Sequence, residues 1–102
     1  MIGAALVDAV TGLTYAAAGE AVRGGGAELA ELAALVADRL GEAGAAGELE
    51  SMVVTSTRHH HVVQVVPRQG DVLLLCLLLD RAGTNLALAL RQTADDARKV
   101  LA

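Results

Sequence analysis

The spacing of hydrophobic residues along the chain predicts strands and helices in alternation. Residues 2–7 form a short apolar run, and residues 13–18 resume a strand-like pattern after the turn-forming pair Thr11-Gly12. Together these segments predict a β-hairpin. The glycine-rich residues 19–26 then predict a flexible connection, because glycine is entropically costly inside a helix or a strand.

A helical period follows over residues 27–43. The larger apolar residues fall on one stripe, which we expect to face the sheet: Leu29, Leu32, Ala33, Val36 and Leu40. A second flank of the same helix carries Ala30, Ala34 and Ala37. Because these side chains are small, they would let another helix approach closely.

The second half of the chain begins with two segments rich in valine and threonine, residues 49–57 and 60–66, joined by the short link Arg58-His59. This pattern predicts a tight antiparallel hairpin. Residues 72–79 are continuously apolar, which predicts a third strand in a sheet that is covered on both faces.

Asn85 is predicted to cap a last helix. Its apolar stripe is Leu86, Leu90, Thr93, Ala97, Val100 and Leu101. The predicted order is β-β-α-β-β-β-α within a single domain, residues 1–102. This order indicates an α/β fold of the α+β type, with a five-stranded, largely antiparallel sheet and one helix on each face.

Composition limits the classes of function. The formal net charge is −4 and the 8 Lys and Arg residues are scattered, so nucleic acid is not an expected partner. No apolar run approaches the roughly 20 residues that a membrane-spanning helix needs, so we expect no membrane insertion. The single cysteine, Cys76, lies in an apolar run and indicates a reducing, cytoplasmic location.

The core is expected to be light, since hydrophobic residues make up 54% of the chain but aromatic residues only 1%. Alanine buries little apolar area, so burial barely exceeds the loss of chain entropy at this length. An interface between two copies would therefore add stability.

The residue types that could carry chemistry do not form a convincing set. His59 and His61 would point the same way on a strand and could share a metal ion, yet further ligands are missing nearby and a polar hairpin tip is favoured. Glu48 and Glu50 are interpreted as residues that keep a strand edge in contact with water. Cys76 has no neighbouring base.

A glycine run at residues 24–26 precedes the first helix, but it lacks the Lys and the Ser or Thr of a phosphate-binding loop. A linker is therefore favoured over a phosphate site. The sequence predicts no cofactor, no metal and no enzymatic activity, because no nucleophile and base can be placed together.

The element order, the hairpin carrying Leu6-Val7-Asp8 and Gly12-Leu13, and the Asn85-Leu86 junction together resemble the Roadblock family of dynein light chains and bacterial MglB-type proteins. The same order is typical of profilin-like folds. Members of the family usually begin with an additional helix, whereas the first predicted strand here begins at Ile2. The sheet face shared with the last helix is therefore expected to be less well covered.

The resemblance implies a homodimer in which the long helix and the following strand meet their symmetry mates. The corresponding interface residues are Ala30, Ala34, Ala37, Met52, Val54 and Ser56. It further implies a regulatory or scaffolding module that binds a small Ras-like GTPase and links it to a signalling partner. Leu88 and Arg91, opposite the apolar stripe of the last helix, are candidate partner contacts. The alternative is a profilin-like sensory module that holds a small ligand on the incompletely covered sheet face.

Overall fold

The chain folds into one five-stranded sheet and two helices, in the order that the sequence predicts. A computed structural model describes residues 2–19, 25–68 and 71–101. Its elements are β1 (Gly3–Asp8), β2 (Thr14–Gly19), α1 (Gly25–Glu42), β3 (Ser51–Thr55), β4 (His59–Arg68), β5 (Asp71–Asp80) and α2 (Leu86–Leu101).

The strands lie in the spatial order β2-β1-β5-β4-β3, and every neighbouring pair is antiparallel. The apolar strand β5 is central and lacks polar alternation because it supplies buried side chains to both faces of the sheet, Leu74 and Cys76 to one and Leu73 and Leu79 to the other. Cys76 in β5 lies opposite Ala5 on one side and Val63 on the other. The predicted fold class is confirmed.

The face of the sheet beneath α1 holds the main core. Its buried members come from three strands and from the helix: Ala5, Val7, Val63, Leu74 and Cys76 with Ala30 and Ala33. Since both helix residues are alanines, the α1 backbone can pack close to the sheet.

The opposite face is covered along β4 by α2. Val62 and Val66 of β4 alternate with the α1-face residues and are fully buried. Thr93 of α2 is also buried, and its hydroxyl donates a hydrogen bond to the Ala89 carbonyl at 2.7 Å, so burial leaves no unpaired polar atom there. One helix thus lies on each face, as predicted.

The two flanks of α1 are arranged differently from the prediction. Ala30, assigned to an outer flank, is only 5% exposed and belongs to the core, whereas Leu32, assigned to the sheet-facing stripe, is 36% exposed. The physical reason is that the strands supply the large side chains of this core. The helix therefore packs on the sheet through small residues. A prediction from the spacing of the most hydrophobic residues assigns Leu32 to the sheet-facing side instead.

Two strand boundaries also differ. The strand predicted over residues 49–57 is limited to Ser51–Thr55, which places Ser56 in the following turn, where its N–H donates to the His59 carbonyl at 2.8 Å. The strand predicted over residues 60–66 extends further, so that Pro67 lies within β4. Pairing with β3 has stopped by that point, so β4 is itself a sheet edge there, where proline is tolerated.

The turn between β1 and β2 is organised by Asp8. One carboxylate oxygen accepts hydrogen bonds from the N–H groups of Val10 and Thr11, at 2.8 and 2.9 Å, and the other accepts one from the Tyr15 hydroxyl at 3.3 Å. The Thr11 and Val10 backbone bonds lower the pKa of Asp8 below its ordinary value, because they favour the charged form.

Candidate interaction surface

The free edge of β3 is the first component of the candidate surface. Within the described chain β3 pairs with β4 alone, so its other side has no strand partner. Met52 is half-buried and packs against the core beneath α1, while Val54, which lies on the same face, is 42% exposed. An apolar edge of this kind is a template for pairing with a further strand.

The outer side of α1 is the second component. Leu32 and Leu35 are 36% and 50% exposed. Large apolar side chains that remain in water on one helix mark a surface suited to a protein partner. Leu35 belongs to neither the predicted apolar stripe nor the alanine flank of α1, so the sequence pattern does not single it out.

The six predicted interface residues do not form one continuous surface. Met52 and Val54 lie on the free edge of β3, whereas Ala34 and the half-buried Ala37 line a groove between α1 and the sheet. Ala30 is buried in the core beneath α1, and Ser56 belongs to the β3–β4 turn.

An apolar groove runs between α1 and the end of the sheet, with a cavity volume of about 440 Å³. Ala34 and Ala37 form its helical wall, and Val65, Val72 and Leu74 form its floor. Among the lining residues that the structure describes, Asp38 alone is charged. The groove lies on the α1 face, whereas the sequence predicted an open ligand site on the opposite face.

The opposite face is incompletely covered near β2. Leu6 and Leu75 are half-buried, and every described position of β2 is exposed. The face shared with α2 is thus less enclosed at this end of the sheet than along β4.

The candidate partner contacts Leu88 and Arg91 lie on the exposed side of α2, and Leu88 is 50% exposed. The Asn85 side chain accepts a hydrogen bond from the Leu88 N–H at 3.1 Å, which confirms the predicted N-cap. Leu88 is therefore held in the first turn of a capped helix.

The three consecutive histidines divide between the two faces of β4. The rings of His59 and His61 lie 6.3 Å apart in an edge-on arrangement, and His60 contacts the Thr55 hydroxyl at 2.7 Å through Nδ1 on the other face. Among residues 2–19, 25–68 and 71–101, no three His, Cys, Asp or Glu side chains are grouped as metal ligands.

The remaining candidates for chemistry are unsuited to it. Glu48 and Glu50 are both exposed, and Cys76 is buried. Burial raises the pKa of the Cys76 thiol to about 11, so the reactive thiolate is disfavoured at neutral pH. Gly25 and Gly26 lie inside α1, whereas Gly24 lies outside the described residues.

Comparison with known proteins places this architecture. No protein-family model matches the chain, and no curated protein matches it significantly. MglB from Myxococcus xanthus superimposes with a TM-score of 0.83 over 98% of this chain and 74% of that protein, at 16% sequence identity. A Roadblock/LC7 domain from Streptomyces avermitilis superimposes with a TM-score of 0.74 over 97% of this chain and 81% of that one, at 20% identity.

The chain has the Roadblock fold. The resemblance inferred from element order is thereby confirmed at the level of structure, although sequence identity is low. Within the described part of this Roadblock fold, neither helix is long and apolar enough to cross a membrane.

Proposed function

We propose that this Roadblock-fold protein is a homodimeric regulatory module that binds a small Ras-like GTPase and links it to a signalling partner. The observation that carries the proposal is the unpaired edge of β3, where Val54 stays exposed on the face that α1 occupies. The proposed GTPase partner places the protein in the cytoplasm.

Self-association would use the two components of the candidate surface. Pairing of β3 with its symmetry mate would satisfy the free backbone groups of the edge and extend the sheet from five strands to ten. Burial of Leu32, Leu35 and Val54 would contribute roughly 1.5–3 kcal/mol for each side chain that becomes fully buried. A small core poor in aromatic residues gains particularly from such an interface.

A binding role, as opposed to catalysis, is supported by the state of the candidate reactive groups. The Cys76 thiol is buried and protonated at neutral pH. The acidic residues Glu48 and Glu50 are exposed to solvent. Leu88 and Arg91, by contrast, present an apolar and a cationic group side by side on a well-capped helix, a combination common in protein interfaces.

The partner assignment is tested by measuring binding to the small Ras-like GTPases of the native genome, each purified and loaded with GDP or with a non-hydrolysable GTP analogue. We expect one GTPase to bind in the micromolar range and to prefer one nucleotide state. The double variant Leu88→Ala, Arg91→Ala tests the α2 contact in the same assay. Absence of binding in both nucleotide states across the whole set contradicts the proposal.

A second candidate function is favoured by the apolar groove between α1 and the sheet. Its volume of about 440 Å³ lies within the range of small-molecule sites, and its lining would suit an apolar ligand. A thermal-shift screen distinguishes the two functions, since a ligand stabilises the state that binds it. Stabilisation by a small apolar molecule supports sensing, and stabilisation by a GTPase supports regulation.

A further inference from the structure

A polar pocket lies where the turn between β3 and β4 meets the loop that follows β5. Its cavity volume is about 560 Å³. The residues that line it are Thr57, Arg58, His59, Asp80, Arg81 and Ala82. Nothing in the linear sequence indicates this site, because Arg58 and Arg81 belong to different loops and are far apart along the chain.

The fold fixes these two arginines beside each other. The Arg81 N–H donates a hydrogen bond to the Arg58 carbonyl at 2.9 Å, and the adjacent residues His59 and Asp80 are register partners in the β4–β5 ladder. The two loops are therefore joined through their backbones. Both arginines line the same concavity.

The pocket is locally cationic in a protein whose formal net charge is −4. Neither arginine has a carboxylate of the described residues within salt-bridge distance. Both arginines are exposed. Of the described residues that line the pocket, Asp80 alone carries a carboxylate, and its Oδ1 already accepts a hydrogen bond from the Ala82 N–H at 3.2 Å.

The available donors distinguish between classes of anion. Phosphate sites commonly rely on free backbone N–H groups, as in nests and at helix N-termini. Here the N–H groups of Arg81 and Ala82 are occupied by bonds within the protein. The charged donors of the lining are the two guanidinium groups, whose planar fork pairs with the two oxygens of a carboxylate without help from the backbone.

We infer that this pocket docks the carboxylate side chains of an acidic segment on a partner protein. The inference rests on the proposed function, because it names a surface through which the partner binds. Arginine is enriched in protein interfaces, and an exposed cationic concavity both attracts and orients an acidic partner.

The test is a titration of the ¹⁵N-labelled protein with a hexaglutamate peptide at low salt, followed by NMR. We expect the amide signals of Arg58, His59 and Arg81 to shift, and the binding to weaken as salt is raised. The double variant Arg58→Gln, Arg81→Gln should bind roughly tenfold more weakly. The control Arg39→Gln, at an exposed arginine outside the pocket, should bind like the native protein.

Signals that shift only on another surface, or an affinity unchanged in the double variant, would overturn the inference. A parallel titration with pyrophosphate tests the phosphate class of anion. If pyrophosphate binds in the pocket and the hexaglutamate peptide does not, the inference is also overturned. The outcome is separable from that of the proposed function. If the double variant binds a GTPase as tightly as the native protein does, the docking pocket is contradicted but the proposed function is not. If the peptide binds in the pocket and no GTPase binds, the proposed function is contradicted but the docking pocket is not.

Discussion

Val54 lies directly opposite His61 in the β3–β4 ladder, and its side chain is 42% exposed on the sheet face that carries α1. Val72 is exposed to almost the same extent, 43%, but lies on the central strand β5. The two valines therefore differ in their position relative to the sheet edge and hardly at all in their access to water.

This difference yields a matched test of the dimer surface. Val54→Lys should weaken self-association by at least about tenfold, because it places a charge where the proposed interface excludes water. Val72→Lys should leave self-association unchanged. Sedimentation velocity over a range of protein concentrations measures both effects, and equal weakening by the two substitutions would count against an interface at β3.

The core beneath α1 predicts a large stability difference between two leucines. Leu74 is 1% exposed, so Leu74→Ala should lower the free energy of unfolding by about 2–5 kcal/mol through lost burial and cavity formation. Leu88 is 50% exposed, and Leu88→Ala should change it by no more than about 0.5 kcal/mol. Denaturant unfolding measures both values, and similar losses would show that the core is assigned incorrectly.

Asp8 predicts a pH-dependent contribution to stability. The Thr11 and Val10 N–H groups lower its pKa in the folded state, so its stabilising effect is complete above about pH 4 and is lost as pH falls through the folded pKa. Asp8→Asn keeps an acceptor but removes the charge. It should therefore be less stable than the native protein at pH 7, with the difference shrinking in acid.

Unfolding curves recorded at several pH values, together with an NMR titration of the Asp8 carboxyl, check this prediction. A stability difference that stays constant from neutral to strongly acid pH would show that the carboxylate charge has no role in the turn.

Two glycines with positive φ allow the stability cost of backbone strain to be measured separately from the cost of a steric clash. Gly83 has φ +77° with open space around it, so Gly83→Ala should cost only the left-handed penalty of about 1–2 kcal/mol. Gly19 has φ +72°, and a Cβ there would collide with the Ile2 carbonyl oxygen and lie 2.8 Å from the Gly3 Cα. Gly19→Ala should therefore cost clearly more.

Thermal or denaturant unfolding of the two alanine variants provides the comparison. Equal stability of the two variants would contradict the prediction, because it would mean that β1 and β2 can move apart near Gly19 with little loss of folding free energy.

Much of the fold could be predicted because hydrophobic period and turn chemistry are local properties. Asn85 was identified as a cap from its position before an apolar stripe, and the run at residues 72–79 as a strand buried on both faces. The strand order could not be predicted in the same way, since pairing of β1 with β5 joins segments that are remote in sequence.

The site was less accessible to prediction for two physical reasons. Whether Ala30 or Leu32 faces the sheet depends on the size of the side chains that the strands contribute, and one helix does not contain that information. The meeting of Arg58 with Arg81 depends on a backbone hydrogen bond between two loops that only the assembled sheet brings together.

The central claim is that the working unit of this Roadblock fold contains two chains joined at β3 and α1. Light scattering coupled to size-exclusion chromatography, at micromolar concentration and moderate salt, tests it most directly. We expect a molar mass twice that of one chain. A mass equal to one chain across the micromolar range would contradict it.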